Sequence, residues 1–105
     1  MSLDKHGYPS DEDIERIHQW QFQEPGSFAA LMNFVQACWN YSDWGFKEDG
    51  RRYSLSTGGW SGNEEVIGAM KTNMGMFWGI CWQSSKRGGH YEFEIPDDTI
   101  YFKAK

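Results

Sequence analysis

Apolar residues recur at three- and four-residue intervals from Phe28 to Trp39. Phe28, Leu31, Met32, Val35, Cys38 and Trp39 trace one face of a helix. Ser27 follows the Pro25-Gly26 break, so it is expected to cap this helix, which should run to about Tyr41. An earlier helix is expected from Ser10. Pro9 cannot continue a helix, the Ser10 hydroxyl can cap one, and Asp11, Glu12 and Asp13 suit the positive end of its dipole. Ile14, Ile17 and Trp20 give it a thin apolar stripe. Two strand-like runs, Trp44-Gly45-Phe46-Lys47 and Arg52-Tyr53-Ser54-Leu55-Ser56, flank Glu48-Asp49-Gly50-Arg51, and Asp-Gly between such runs predicts a hairpin. A glycine-rich loop, Thr57-Gly58-Gly59-Trp60-Ser61-Gly62-Asn63, leads into a third helix. Ser61 and Glu64 have the spacing of a capping box, with Asn63 as the competing cap. Val66, Ile67 and Met70 face the core from this helix, which should end near Asn73.

The pattern from Met76 to Ser84 fits two structures. As a strand it puts Met76, Trp78, Ile80 and Trp82 on one face. As a helix it lines up Met70, Met74, Phe77, Trp78 and Cys81. Its aromatic content, with Gly75 just before it and Gly79 within it, favours the strand. Lys86-Arg87-Gly88-Gly89 reads as a turn into His90–Ile95, where Tyr91, Phe93 and Ile95 alternate cleanly until Pro96. Ile100-Tyr101-Phe102 either adds a short edge segment or packs on the core, within a tail over 97–105, and residues 1–9 are expected to be flexible. The order helix, helix, strand, strand, helix, strand, strand predicts an α+β fold: one domain with a mostly antiparallel sheet of about four strands and helices on one face. No internal repeat, linker or low-complexity segment is read. The expected core contains Phe28, Leu31, Val35, Trp39, Leu55, Ile67, Met70, Trp78, Ile80 and Phe93.

Composition narrows the function classes. A chain of 105 residues holds one core, and its six tryptophans, seven phenylalanines and five tyrosines supply the apolar area to stabilise it. A formal net charge of −5 opposes electrostatic capture of nucleic acid. Acids gather at the amino-terminal end (Asp4, Asp11, Glu12, Asp13, Glu15, Glu24), whereas the middle is mildly basic. The plain reading is a solvated helix face, and an acidic first helix could also engage a basic partner. No apolar stretch is long enough to cross a bilayer. Cys38 and Cys81 form no CxxC pair, no leader peptide is read, and both thiols fall in apolar surroundings. Buried, unpaired cysteines and a reducing, cytoplasmic compartment are therefore expected. Met1-Ser2-Leu3 carries no weight in this reading.

Two stretches, Tyr53-Ser-Leu-Ser-Thr-Gly-Gly-Trp-Ser-Gly-Asn-Glu-Glu65 and Phe77-Trp-Gly-Ile-Cys-Trp-Gln-Ser-Ser-Lys-Arg-Gly-Gly-His-Tyr-Glu-Phe93, resemble a group of small uncharacterised proteins encoded by tailed bacteriophages and prophages. The likeness extends more weakly to Gly7-Tyr8-Pro9 and Asp43-Trp44-Gly45. It implies expression in a bacterial cytoplasm. It transfers no activity and no catalytic residue.

Little of the sequence points to catalysis. The glycine loop is neither a Walker motif nor a dinucleotide fingerprint, and Glu64 and Glu65 would repel an anion from the helix that follows. The plain alternative is a tight loop with Trp60 plugged into the core. His6, His18 and His90 are far apart, no metal-ligand spacing exists, and no cofactor is expected. Arg87 close to His90 would favour the neutral imidazole, as a general base requires, yet no nucleophile can be paired with it from sequence. Aromatics beside basic residues are also the pattern of single-strand binders, but most of these rings must be core.

Topology offers a stronger lead. A crossover through the third helix would make the strands ending at Ser56 and at Ser84-Ser85 parallel, with another strand able to lie between them. Both ends then fall on one rim with the glycine loop, the 84–90 turn and Trp44. The candidate binding residues are Trp44, Thr57, Gly58, Gly59, Trp60, Ser61, Asn63, Lys86, Arg87 and His90. Their structural alternative is that Arg87 pairs with Glu64 and Glu65 and steadies the loop. The expected function is a small non-enzymatic binding protein with a host or phage protein as partner. The alternative is a small-ligand or anion site, with or without catalysis, at loop 57–63 and the 84–90 turn.

Overall fold

The computed structural model describes residues 8–102. Helix α1 (Asp11–Gln19) begins where the sequence places it, with the Ser10 hydroxyl accepting a hydrogen bond from the Asp13 amide at 3.0 Å. Helix α2 (Ser27–Ala37) buries Phe28, Leu31, Met32, Phe34 and Val35. Its cap is Gly26 in left-handed backbone (φ 88°), not Ser27, whose hydroxyl is buried without a partner among the described residues. The helix stops short of Tyr41. Tyr41 is itself left-handed (φ 61°) and opens a short helix, α3 (Ser42–Gly45). Trp44 and Gly45, expected in the first strand, therefore lie in a helical turn. Packing explains this: a Cβ on Gly45 would sit 2.5 Å from the Ser56 carbonyl oxygen, which also accepts a 3.2 Å hydrogen bond from Trp39 Nε1.

Strands β1 (Phe46–Asp49) and β2 (Arg52–Ser56) form the predicted hairpin, with the turn tightened to Gly50-Arg51 and Gly50 left-handed. Helix α4 (Ser61–Lys71) has Trp60 at its cap position, and the capping box does not form. Instead Ser61 Oγ donates to the Tyr8 hydroxyl at 3.1 Å and Asn63 is buried. The ambiguous stretch divides. Met76 turns left-handed (φ 66°), a short helix α5 (Phe77–Cys81) buries Phe77 and Cys81, and strand β3 (Trp82–Lys86) starts only then. Neither expectation for 76–84 holds throughout, because α4 ends at Lys71 and leaves Met74 exposed. Trp78 and Ile80 are correspondingly half-buried rather than core.

After strand β4 (His90–Glu94) comes helix α6 (Asp98–Tyr101), so 97–102 is not a free tail. Asp98 Oδ2 accepts a hydrogen bond from the Gly26 amide at 3.1 Å, and Phe102 is buried. At the other end Pro9 is buried and the Tyr8 ring stacks on Trp60. Residues 1–7 and 103–105 lie outside the described residues.

The sheet order is β1-β2-β4-β3 and every pairing is antiparallel. β2 and β3 are therefore parallel with β4 between them, the crossover arrangement the sequence predicts. Phe46, Tyr53, Leu55 and Phe93 point into the helical layer and join the buried faces of α2 and α4 in one core. Lys47, Arg52, Ser54, His90 and Glu92 face outward. The result is one compact α+β domain.

The same order of elements occurs twice, a repeat the sequence does not announce. An eleven-residue helix, a left-handed residue, a short helix and a hairpin make up α2–α3–β1–β2 and again α4–α5–β3–β4. Each short helix contains a Trp-Gly pair, Trp44-Gly45 in α3 and Trp78-Gly79 in α5. Gly50-Arg51-Arg52-Tyr53 matches Gly88-Gly89-His90-Tyr91. The two halves meet where Ser54 pairs with its own counterpart, Glu92, so a pseudo-twofold axis passes between β2 and β4. Both hairpin turns close on the opposite half in the same way. Thr57 N–H donates to Gly89 O and Ile95 N–H to Arg51 O, each at 2.9 Å.

Asn73 ties α1 to this frame. Its buried Nδ2 donates to the carbonyls of Ile17, His18 and Trp20 at 2.6, 3.2 and 3.0 Å, and its Oδ1 accepts from the Phe77 amide at 3.1 Å. These bonds satisfy carbonyls that the end of α1 leaves open. Asn73→Ala is expected to lower the unfolding free energy by about 2–3 kcal/mol in urea titration. A loss under about 0.5 kcal/mol would show that those groups find other partners.

Cys38 and Cys81 are both buried and free. Burial, helped by the Asp13 carboxylate, pushes the Cys38 thiol up to about 11, and burial pushes Cys81 up to about 12, from an ordinary 9.0. The folded protein keeps its thiol protons while the unfolded chain loses them, so stability should fall as pH rises above about 9. Neither thiol should react with a thiol reagent at pH 8 until denaturant is added, and rapid labelling of the native protein would contradict the burial of both.

Candidate functional site

The topology gathers most of the candidate residues on one rim. Ser56 Oγ lies 2.7 Å from His90 Nδ1 across the β2–β4 ladder, and Lys86 faces His90 from β3. Thr57 joins the loop to the β3–β4 turn through its bond to Gly89. Gly89 is left-handed (φ 80°), and a Cβ there would overlap the Thr57 hydroxyl. Only glycine allows the two segments to touch. Gly58, also left-handed, lies beneath Trp44: a Cβ on it would come within 3.1 Å of that ring.

Two candidates position the rim rather than present a surface. Asn63 is 1 % exposed. Its Oδ1 accepts from the Asn40 amide at 2.8 Å, and its Nδ2 donates to the carbonyls of Asn40 and Thr57 at 2.9 and 3.3 Å. It thus clamps the chain after α2 to the glycine loop, with all its polar atoms engaged. Thr57 is buried as well, and its Oγ1 accepts from the Gly59 amide at 3.3 Å.

The aromatic part of the rim is larger than the sequence indicates. Trp44 is 59 % exposed. Trp60 is half-buried rather than plugged into the core, stacked on Tyr8 at 5.2 Å and edge-on to Tyr41 at 6.3 Å. Tyr41, missed from sequence, is 61 % exposed because its left-handed backbone turns it outward. Ser42-Asp43, polar residues suited to a helix start, were the available sign of α3 and hence of Tyr41 and Trp44 at this place. Ser56 was also missed as the partner of His90, since cross-strand register is not visible in one sequence.

Lys86, Arg87 and His90 are exposed. The expected alternative, Arg87 paired with Glu64 and Glu65, does not occur: among the described residues the ion pairs are His18–Glu15, Arg51–Glu94 and Arg52–Glu94. The Ser56–His90 pair has no carboxylate on the second ring nitrogen among the described residues, so the third member that orients a catalytic base is not supplied. No group of three His, Cys, Asp or Glu side chains among them could hold a metal ion. A hollow of about 260 Å³ is lined by Lys47, Arg52, Ser54, Gln83 and Glu92, and another of about 300 Å³ by Arg16, Trp20, Ala30 and Phe34. Neither includes a rim residue. No helix among the described residues is long and apolar enough to cross a membrane.

No protein-family model, no curated protein and no solved structure matches the chain.

Gly89→Ala is expected to destabilise the fold by about 2–3 kcal/mol, against about 1 kcal/mol for Gly50→Ala at the opposite turn. Both positions have positive φ, but a Cβ on Gly50 meets nothing within 4 Å. Equal losses in thermal denaturation would show that the Thr57–Gly89 contact does not constrain the rim.

Proposed function

We propose that this chain is a small non-enzymatic binding protein of phage type that engages a macromolecular partner in the cytoplasm of a bacterial host. The observation that carries this reading is the exposure of Trp44 and Tyr41 on a rigidly built rim, beside Trp60 and on the same rim as Lys86 and Arg87, which have no ion pair among the described residues. Large exposed rings with few rotatable bonds, set among charged groups, are the usual energetic centres of protein interfaces. The rim offers a surface rather than a pocket: the buried Asn63 and Thr57 are spent on bonds that hold the loop, and the cations beside it are exposed. The resemblance of 53–65 and 77–93 to small phage and prophage proteins supports the bacterial setting, and two buried unpaired thiols suit a reducing compartment. The alternative, a small-ligand or anion site, draws on the same loop and on the Ser56–His90 pair.

The test is a pull-down from bacterial lysate with the intact protein and with a Trp44→Ala/Tyr41→Ala variant. A stoichiometric partner is expected with the first and a loss of roughly tenfold or more with the second, with thermal stability little changed. A partner retained equally by the variant would remove the rim from the interface.

A further inference from the structure

The two halves of the molecule provide an internal comparison. At the far rim, where the β1–β2 turn meets the end of β4, the positive charges are neutralised within the fold. Arg51 Nη1 donates to the Ile95 carbonyl at 3.1 Å and lies 3.7 Å from the Glu94 carboxylate, and Arg52 Nε lies 3.2 Å from the same group. The near rim repeats the construction with different residues. Gly89 stands where the other half has Arg51, His90 where it has Arg52, and Ser56 where it has Glu94. The carboxylate that closes the far rim is thus a hydroxyl at the near one. Lys86 and Arg87 are left exposed beside it, with no ion pair among the described residues.

The tryptophans diverge in the same sense. Trp78 packs on Phe93 and Trp82 at centroid distances of 5.4 and 6.0 Å, under the Lys71 ammonium. The tryptophan of the other Trp-Gly pair, Trp44, lies over Gly58 and is mostly exposed. The far rim has used its cations and its indole for the fold. The near rim presents both to solvent.

We propose that the near rim recognises a carboxylate-bearing segment of a partner protein, with Asp or Glu side chains on Lys86 and Arg87 and an apolar side chain on Trp44 and Tyr41. This rests on reading the chain as a binding protein and names the chemistry of its partner. Charge-assisted bonds from the two cations would supply orientation, and the rings would supply buried apolar area. Asp43 and Glu64 belong to the aromatic side of the rim by sequence, so the partner's carboxylates are directed to the hairpin side. The acidic net charge of −5 disfavours a long polyanion, which could not confine itself to this small basic patch.

The experiment titrates a short peptide of alternating glutamate and leucine into isotope-labelled full-length protein and follows backbone amide and indole signals. The glutamine counterpart and a single-stranded oligonucleotide are run in parallel. The glutamate peptide should shift the Trp44 indole and the amides of Gly88, Gly89 and His90, with affinity falling roughly tenfold between about 0.05 and 0.3 M salt. Lys86→Glu with Arg87→Glu should weaken it by at least about tenfold, whereas Lys47→Glu on β1 should change it less than about twofold. Equal binding of the glutamine peptide, preference for the oligonucleotide, shifts centred on Arg51 and Arg52, or no binding would each overturn the proposal. Should the peptide fail while Trp44→Ala/Tyr41→Ala still abolishes capture of a lysate partner, the binding reading stands and carboxylate recognition falls.

Discussion

The ladder between β2 and β4 pairs Tyr53 with Phe93 and Leu55 with Tyr91 on the face turned toward the helices. Cross-strand pairs of aromatic and aliphatic side chains are the stabilising unit of a sheet, and these sit at its centre. They also fix its register, because a slip of one residue between the strands would turn either Tyr53 and Leu55 or Tyr91 and Phe93 away from the helices. From this junction the rest follows. β1 and β3 are carried on the outer edges, the two hairpin turns are sent to opposite rims, and each turn meets the strand end of the other half. The Thr57–Gly89 and Ile95–Arg51 bonds lie just beyond the two ends of the ladder.

Two buried amides then attach what the ladder does not reach. Asn63 binds the segment after α2 to the glycine loop, and Asn73 binds the end of α1 to the start of α5. An amide carries donors and an acceptor on one short rigid group, so it can close several open backbone groups at once. Trp39 does related work from the place in the first half that Asn73 holds in the second. Its indole N–H donates to Ser56 O and holds α3 against β2. Each long helix is thus followed by a side-chain donor that reaches into a neighbouring segment, although the residue types differ.

Much of the fold was legible in the sequence. The Ser10 cap, the apolar face of α2, the Asp-Gly hairpin and the alternation of Tyr91, Phe93 and Ile95 all state local preferences that the packed structure keeps. The parallel relation of β2 and β3 followed from the length of the crossover. What escaped was set by packing. Nothing local marks Tyr41 and Met76 as left-handed, yet each starts a short helix that shifts Trp44 and Trp78 out of the strands expected for them. Asn63 read as a cap because its residue type favours caps, whereas burial beside Asn40 gave it better partners. The repeat was hidden because the halves share few residues beyond Trp-Gly and the Gly-X-Arg/His-Tyr turn. The candidate rim was found from topology, and its aromatic extent was not, because exposure of a tryptophan is not a property of its neighbours in sequence.

The pseudo-twofold arrangement gives the molecule the plan of a symmetric pair held in one chain. In a true pair of identical subunits every substitution is made twice, so a glycine that opens one rim opens the other, and a glutamate that seals one seals both. Covalent linkage removes that obligation. One end of this sheet can be closed and kept for stability while the other is left chemically unsatisfied, and a single polypeptide of modest size can present a face that has a direction.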